Sequence, residues 1–162
     1  GIPIYMAINA YSTYVVLNKT KVCIMGSNLV ADYINNLPKI NLTNIEKELI
    51  YDTLQLIAMS KRDYHKNHFI LTEALFKHFE ISKKGKHIFQ PLYYDNLAKS
   101  SKFIQKTCKE LIVLGFILDG KISKNESKKI NTLQQYGLLN NSLNEIKIKT
   151  ADFLNGKNFE LN

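Results

Sequence analysis

The feature that most constrains this chain is its longest helical pattern, which follows Pro91 and runs from Leu92 to Leu114. One side of a helix in this register is occupied by Leu97, Ser101, Ile104, Cys108 and Leu111. Gly115 follows directly, and glycine most easily takes the left-handed conformation after a helix end. We therefore predict one long amphipathic helix that ends at Gly115 and packs its apolar face on the rest of the chain.

The opposite face of this predicted helix is basic. At 100° per residue, a span of about 80° holds four lysines: Lys99, Lys102, Lys106 and Lys109. All four carry the same sign, so we expect an uncompensated stripe whose mutual repulsion a bound polyanion would relieve. Lysines are also common on any solvated helix face, which is the competing interpretation of the stripe taken alone.

The positive charge of the whole chain is concentrated in its middle third. The formal net charge is +8, and residues 60–109 hold eleven Lys or Arg against four acids. A concentrated positive field attracts polyanions, which favours nucleic acid as a partner. The abundance of Lys, Asn and Ile is also typical of an AT-rich genome, which would raise the lysine content without any binding role.

The N-terminal part of the chain predicts a small β component. Two strand-forming stretches between Tyr11 and Met25 flank 18–20, which suggests a hairpin. A short helix is expected over 29–36, closed by Pro38. Further on, 69–71 is short and apolar enough for one strand, and Thr72 is the expected cap of a helix over 73–79.

Two capping boxes predict helix starts. Thr43 with Glu46 opens a helix that should run to about Met59, and Ser123 with Glu126 opens one that should run to about Tyr136. Between 116 and 123, the pair Asp119-Gly120 has the residues of a tight hairpin turn. The tail from Leu143 is predicted to be helical, with a strand over 145–149 as the alternative.

Together these elements predict an α+β fold, mainly α with a small β component, in one domain over 1–162. It is a winged helix-turn-helix, with an N-terminal hairpin and short helix over 1–40, a winged-helix core over 41–123 and extra C-terminal helices over 124–162. In that architecture a recognition helix enters the major groove of DNA and the wing contacts the backbone. The predicted DNA-contacting residues are Lys99, Ser100, Lys102, Gln105, Lys106, Lys109 and Lys121.

Residues 27–118 resemble the winged-helix half of plasmid or phage replication initiators. The resemblance is carried by the segments 27–29, 41–50, 69–82 and 111–117. It implies that the protein binds repeated double-stranded origin DNA, as a monomer or a homodimer, in replication or in transcription regulation. Because lysine is a flexible point charge and Arg62 is the single arginine, phosphate contacts should dominate over base contacts. Tyr93, Tyr94 and Phe103 are candidates for stacking on unpaired bases, although such residues more often belong to the core.

The alternative is a non-enzymatic helical protein–protein interaction module. Residues 56–82 and 114–139 share a pattern of apolar helix end, polar loop and second helix. This pattern resembles the duplicated helical domain associated with tellurite resistance, in which Asp-Gly-Lys-Ile-Ser followed by Glu links two helices. In that case the Asp119-Gly120 segment is a loop between helices and not a wing.

The sequence predicts no catalytic, metal or cofactor site. His65 and His68 lie three apart, but neither a cysteine nor a second carboxylate falls at ligand spacing near them. No phosphate-binding glycine loop or nucleophile motif is present. Two cysteines, Cys23 and Cys108, do not make a disulfide framework, so we expect a reduced, cytoplasmic protein with no membrane partner.

Overall fold

The computed structural model describes residues 2–61, 65–83 and 87–162, with the side chains of 17–61 in the first of these ranges. Every regular element in these ranges is an α-helix, so the predicted α+β class is wrong. The seven helices are α1 (Ile2–Asn36), α2 (Asn44–Ser60), α3 (Lys66–His78), α4 (Tyr93–Lys99), α5 (Lys102–Ile117), α6 (Lys124–Gln135) and α7 (Leu143–Leu154).

The predicted N-terminal hairpin and the short helix after it are both parts of α1, which is 35 residues long. Among its described side chains, the buried positions are Gly26, Val30 and Tyr33, at helical spacing. Gly26 lets α1 approach α3, since a Cβ there would lie 2.0 Å from the side-chain nitrogen Nδ2 of Asn67. The segment predicted as a hairpin is therefore helical, and in its described part the Val22 carbonyl accepts a hydrogen bond from Asn67 of α3.

The predicted strand at 69–71 lies inside α3, which begins seven residues earlier than the helix expected over 73–79. His65 caps α3, because its Nδ1 accepts a hydrogen bond from the amide of Asn67 at 3.0 Å. Leu71, Leu75 and Phe76 form its buried side. Of the basic segment 83–86, Lys83 is among the described residues, whereas 84–86 and Arg62 lie outside them.

The predicted helix from Leu92 to Leu114 is two helices, because the chain breaks at Ser100 and Ser101. Ser100 ends α4, and Ser101 caps α5 by accepting a hydrogen bond from the amide of Ile104 at 3.2 Å. Gly115 does not end α5; it is buried within the helix, where a Cβ would lie 2.6 Å from the side chain of Ile57. The glycine therefore serves close packing of α2 on α5.

The predicted wing is a loop. Residues 116 and 117 complete α5, and Gly120, with φ of +75°, turns the chain towards α6. Both predicted capping boxes are present, with Thr43 opening α2 and Ser123 opening α6. The preferred helix in the tail is confirmed as α7, and it starts with a third capping box, Ser142 with Glu145, which our sequence analysis missed.

The helix pairs α2–α3 and α5–α6 are arranged as two copies of one unit. Thr43 and Ser101 cap the first helix of each copy, and His65 and Ser123 cap the second. The two cap positions are separated by the same number of residues in both copies. In this register Ile57 corresponds to Gly115, so the close contact between α2 and α5 joins equivalent positions.

A buried charged cluster joins the two copies. The ammonium of Lys61, at the end of α2, lies 3.0 Å from a carboxylate oxygen of Asp119 and 2.6 Å from one of Glu126. It also donates to the carbonyl oxygen of Phe116 at 3.2 Å. All three charged side chains are at most 4 % exposed. By register, Lys61 corresponds to Asp119, so the cation of one copy pairs with two acids of the other.

Candidate functional site

The N-terminal half of α5 lines a shallow groove of about 230 Å³ on the surface. On the other side of the groove are the loop between α6 and α7 and the last residues of the chain. The polar side chains of the groove come from Lys102, Gln105, Lys106, Lys109, Asn140, Asn141 and Asn162. The structure thus brings four of the seven predicted site residues into one groove.

Three of the four predicted lysines share a face of α5. Lys102 and Lys106 are exposed and Lys109 is half-buried. They follow each other by one turn, so their Cα atoms span roughly 10 Å along the helix axis at 1.5 Å per residue. Lys99 is exposed but belongs to α4, on the far side of the break. A single stripe of four lysines on one helix is therefore not what the fold provides.

The basic face contains one acid that we had not expected. Glu110 follows Lys106 by one turn, with 3.9 Å between its carboxylate oxygen and the Lys106 ammonium. Desolvation raises the pKa of Glu110, and Lys106 opposes this shift. The Lys106 side chain is 65 % exposed, so a surface pair of this kind is screened and weak. The expectation of an uncompensated stripe is wrong at this position.

Ser100 and Gln105, the two uncharged residues among the predicted DNA contacts, form hydrogen bonds at the break between α4 and α5. The side-chain amide of Gln105 donates to the carbonyl oxygens of Ala98 and Ser100, both at 3.1 Å. The hydroxyl of Ser100 donates to the carbonyl of Leu97 at 2.6 Å. These bonds hold α4 against the start of α5, so they position the lysines.

Lys121 does not join this groove. It is exposed in the loop between α5 and α6, next to His65, whose pKa it helps to lower after the larger effect of desolvation. This loop follows the C-terminal end of α5, whereas Lys102 is the first residue of α5. Because a helix of 16 residues is about 24 Å long, Lys102 and the loop lie at opposite ends of it. The predicted pairing of recognition helix and wing is thus absent from the groove.

A second cavity of about 120 Å³ adjoins the groove and shares Gln105 and Lys109 with it. Its wall contains Tyr94 and Tyr136, whose rings are stacked with centroids 4.5 Å apart and planes at 21°. Tyr136 was missed because it directly follows α6 and belongs to no periodic pattern. Of the other aromatic candidates, Tyr93 is fully buried and Phe103 is half-buried beside Phe79.

The described part of the core contains buried polar side chains that contact one another. Tyr93 shares a hydrogen bond of 2.7 Å with Thr53, beside Cys108. Cys108 is fully buried, and desolvation raises the pKa of its thiol to about 12, so the thiol stays protonated at neutral pH. His87 contacts Asp52 at 2.5 Å, with both side chains buried, which ties the segment before α4 to α2.

Among the described residues, no three His, Cys, Asp or Glu side chains are grouped so that they could hold a metal ion. The same part of the chain contains no helix that is both long and apolar enough to cross a membrane. Comparison of the sequence and structure with family models, curated proteins and solved structures finds no match.

Proposed function

We propose that this protein binds nucleic acid without catalysis, and that the α5 groove holds the phosphate backbone. The observation that carries the proposal is the shared groove of Lys102, Lys106 and Lys109, which is bordered by the side-chain amides of Asn140 and Asn141. Ammonium groups pair with phosphates, and amide groups donate hydrogen bonds to phosphate oxygens. The proposal does not include a wing, and double-stranded DNA is one of the ligands to be tested.

The size of the lysine face suits a few consecutive phosphates. The three lysines span roughly 10 Å, and one strand of B-DNA rises about 3.4 Å per nucleotide. Each neutralised phosphate releases counterions, so three contacts predict a slope of about −2 to −3 for log K against log salt concentration. Because lysine makes no bidentate base contacts of the arginine kind, we expect little sequence preference. The proposal places the protein in the cytoplasm, where its two free cysteines would stay reduced.

The test is fluorescence anisotropy of labelled oligonucleotides, titrated with protein at several salt concentrations. Replacing Lys102 and Lys106 together by glutamine should weaken binding and reduce the salt slope by about 2. The matched control is the glutamine pair at Lys124 and Lys128, which are exposed with the same spacing on α6. An unchanged salt slope in the α5 variant, or an equal loss in the α6 variant, would remove the groove from the binding site.

A second variant tests the same face in the opposite direction. Glu110→Gln removes the one acid that lies beside Lys106. We expect binding to become tighter, by less than about 5-fold, because an exposed ion pair is worth less than about 1 kcal/mol. Weaker binding in this variant would contradict the assignment of Lys106 to the phosphate-contacting surface.

A helical interaction module is the second candidate. It is supported by the two helix pairs, whose caps at Thr43 and His65 and at Ser101 and Ser123 have the same spacing. A repeated pair of helices joined by a loop is the pattern that resembles the domain associated with tellurite resistance. A shared architecture alone does not carry a function. Absence of salt-dependent binding to every nucleic acid tested would favour this candidate.

A further inference from the structure

Tyr136 is one of the most exposed aromatic side chains of the described residues, at 60 % of its full accessibility. One face of its ring is covered by Tyr94 at 4.5 Å. Because Tyr94 covers one face of the ring and 60 % of the side chain is still accessible, the other face lies open to solvent. Aromatic rings in this state are costly to leave in water and favour a planar partner.

The ring of Tyr136 is supported from behind by a chain of contacts. Tyr94 packs in turn against Tyr93, with centroids 5.3 Å apart, and Tyr93 is fully buried. Tyr136 ends α6, and Gly137, with φ of +70°, turns the chain away immediately after it. Because the ring is held by the core before any ligand arrives, little side-chain entropy remains to be lost on stacking.

The aromatic pair lies beside the basic groove. The cavity at Tyr136 and the groove of α5 share Gln105 and Lys109, so one ligand can contact both. The remaining walls near the ring are apolar, from Leu97, Ala98 and Leu138. A ligand that fits both parts carries a phosphate and a planar base, with the base free to leave its own stack.

We propose that Tyr136 stacks on an unpaired base of single-stranded nucleic acid whose phosphates lie against Lys109 and Lys106. The inference rests on the proposed function and narrows its ligand class. In a duplex the faces of the bases are covered by their neighbours, so this ring has no partner there. Stacking on an aromatic side chain tolerates any base, which agrees with a groove whose described cations are all lysines.

The experiment compares three labelled ligands of equal length, a thymidine oligomer, an abasic oligomer and a duplex, with a uridine oligomer as the RNA arm. The wild-type protein should bind the thymidine oligomer roughly 5- to 150-fold more tightly than the abasic one. Tyr136→Leu should abolish this difference, and Tyr136→Phe should keep it. Phe69→Leu is the matched control, because Phe69 on α3 has nearly the same exposure, 59 %.

The outcomes separate this inference from the proposed function. Equal binding of abasic and thymidine oligomers, together with loss of binding in the Lys102/Lys106 variant, overturns stacking but keeps the phosphate groove. Tighter binding of the duplex also overturns stacking, and no binding of any ligand overturns both. Should Tyr136→Leu fail to fold, NMR of ¹³C-labelled tyrosine in the wild type gives the answer. The Tyr136 ring protons should shift upfield with the thymidine oligomer only, and an identical shift with the abasic one overturns stacking.

Discussion

The helix pairs α2–α3 and α5–α6 have caps at the same spacing, but they carry different charges at equivalent positions near the second cap. In the second copy, Asp119 lies two residues after the end of α5, and Glu126 lies in the first turn of α6. In the first copy, the corresponding positions hold Lys61 and His68. Each set is buried, and the ammonium of Lys61 reaches both acids of the other copy. The two copies are thus complementary in charge, because Lys61 of one copy pairs with Asp119 and Glu126 of the other.

The difference shows why the copies cannot be exchanged. A buried carboxylate is stable only with a partner, and here the partner comes from the other copy. Equivalent positions also differ in size, with Ile57 in one copy against Gly115 in the other. Charge and volume therefore both fix how α2 packs on α5, and each can be broken by a single substitution.

The largest expected effect comes from removing the shared cation. Lys61→Met leaves Asp119 and Glu126 buried without a counter-charge, and breaking a buried pair in this way costs about 3–5 kcal/mol. The free energy of unfolding should be measured by urea titration with far-UV circular dichroism. The control is Lys83→Met, which removes an exposed ion pair to Glu73 and should cost less than about 1 kcal/mol.

Neutralising the acids should rescue this variant. In the triple variant that adds Asp119→Asn and Glu126→Gln to Lys61→Met, no uncompensated charge remains, so we expect most of the lost stability to return. The two variants differ only in the two carboxylates. A triple variant that is no more stable than Lys61→Met would mean that packing of the Lys61 methylenes, and not charge, holds the junction.

The next largest effect concerns volume. Gly115→Ala places a Cβ 2.6 Å from Ile57, which overpacks the contact between α2 and α5. Overpacking costs about 1–3 kcal/mol, and the better helix propensity of alanine returns about 1 kcal/mol, so a modest net loss is expected. The midpoint of urea unfolding measures it. Addition of Ile57→Val, which removes the Cδ1 atom at 2.7 Å, should recover part of the loss. A Gly115→Ala variant that is more stable than the wild type would show that the contact between α2 and α5 has room for a Cβ at this position.

The smallest effect is a pH dependence from His68. Desolvation lowers the pKa of His68 below its ordinary value of 6.5, while its Nε2 donates to the carbonyl of Gly115 at 2.7 Å. As the pH falls below 6.5, the unfolded chain takes up a proton first, so the stability that this histidine supports is complete above 6.5 and declines towards its folded-state pKa. His68→Gln keeps a donor but cannot titrate. The loss of stability between pH 7.5 and 5 should be smaller in this variant, and identical profiles would exclude His68 as a source of the slope.

Local signals were the most reliable part of the sequence analysis. Thr43 and Ser123 were predicted as helix caps and are caps, because a capping box is complete within four residues and needs nothing from the rest of the chain. The basic side of α5 was also predictable, since lysines one turn apart share a face of any helix. The Tyr94–Tyr136 pair was not, because its members lie on different elements and meet only in the folded chain.

The chain by itself determined where α2 and α6 begin, that α5 carries lysines on one face, and that positive charge gathers in the middle third. Tertiary packing decided that 69–71 is helical, because β-branched and aromatic residues follow whichever partner buries them. It also brought Lys61 to Asp119 and Glu126. Those contacts join residues far apart in sequence, and no local pattern encodes them.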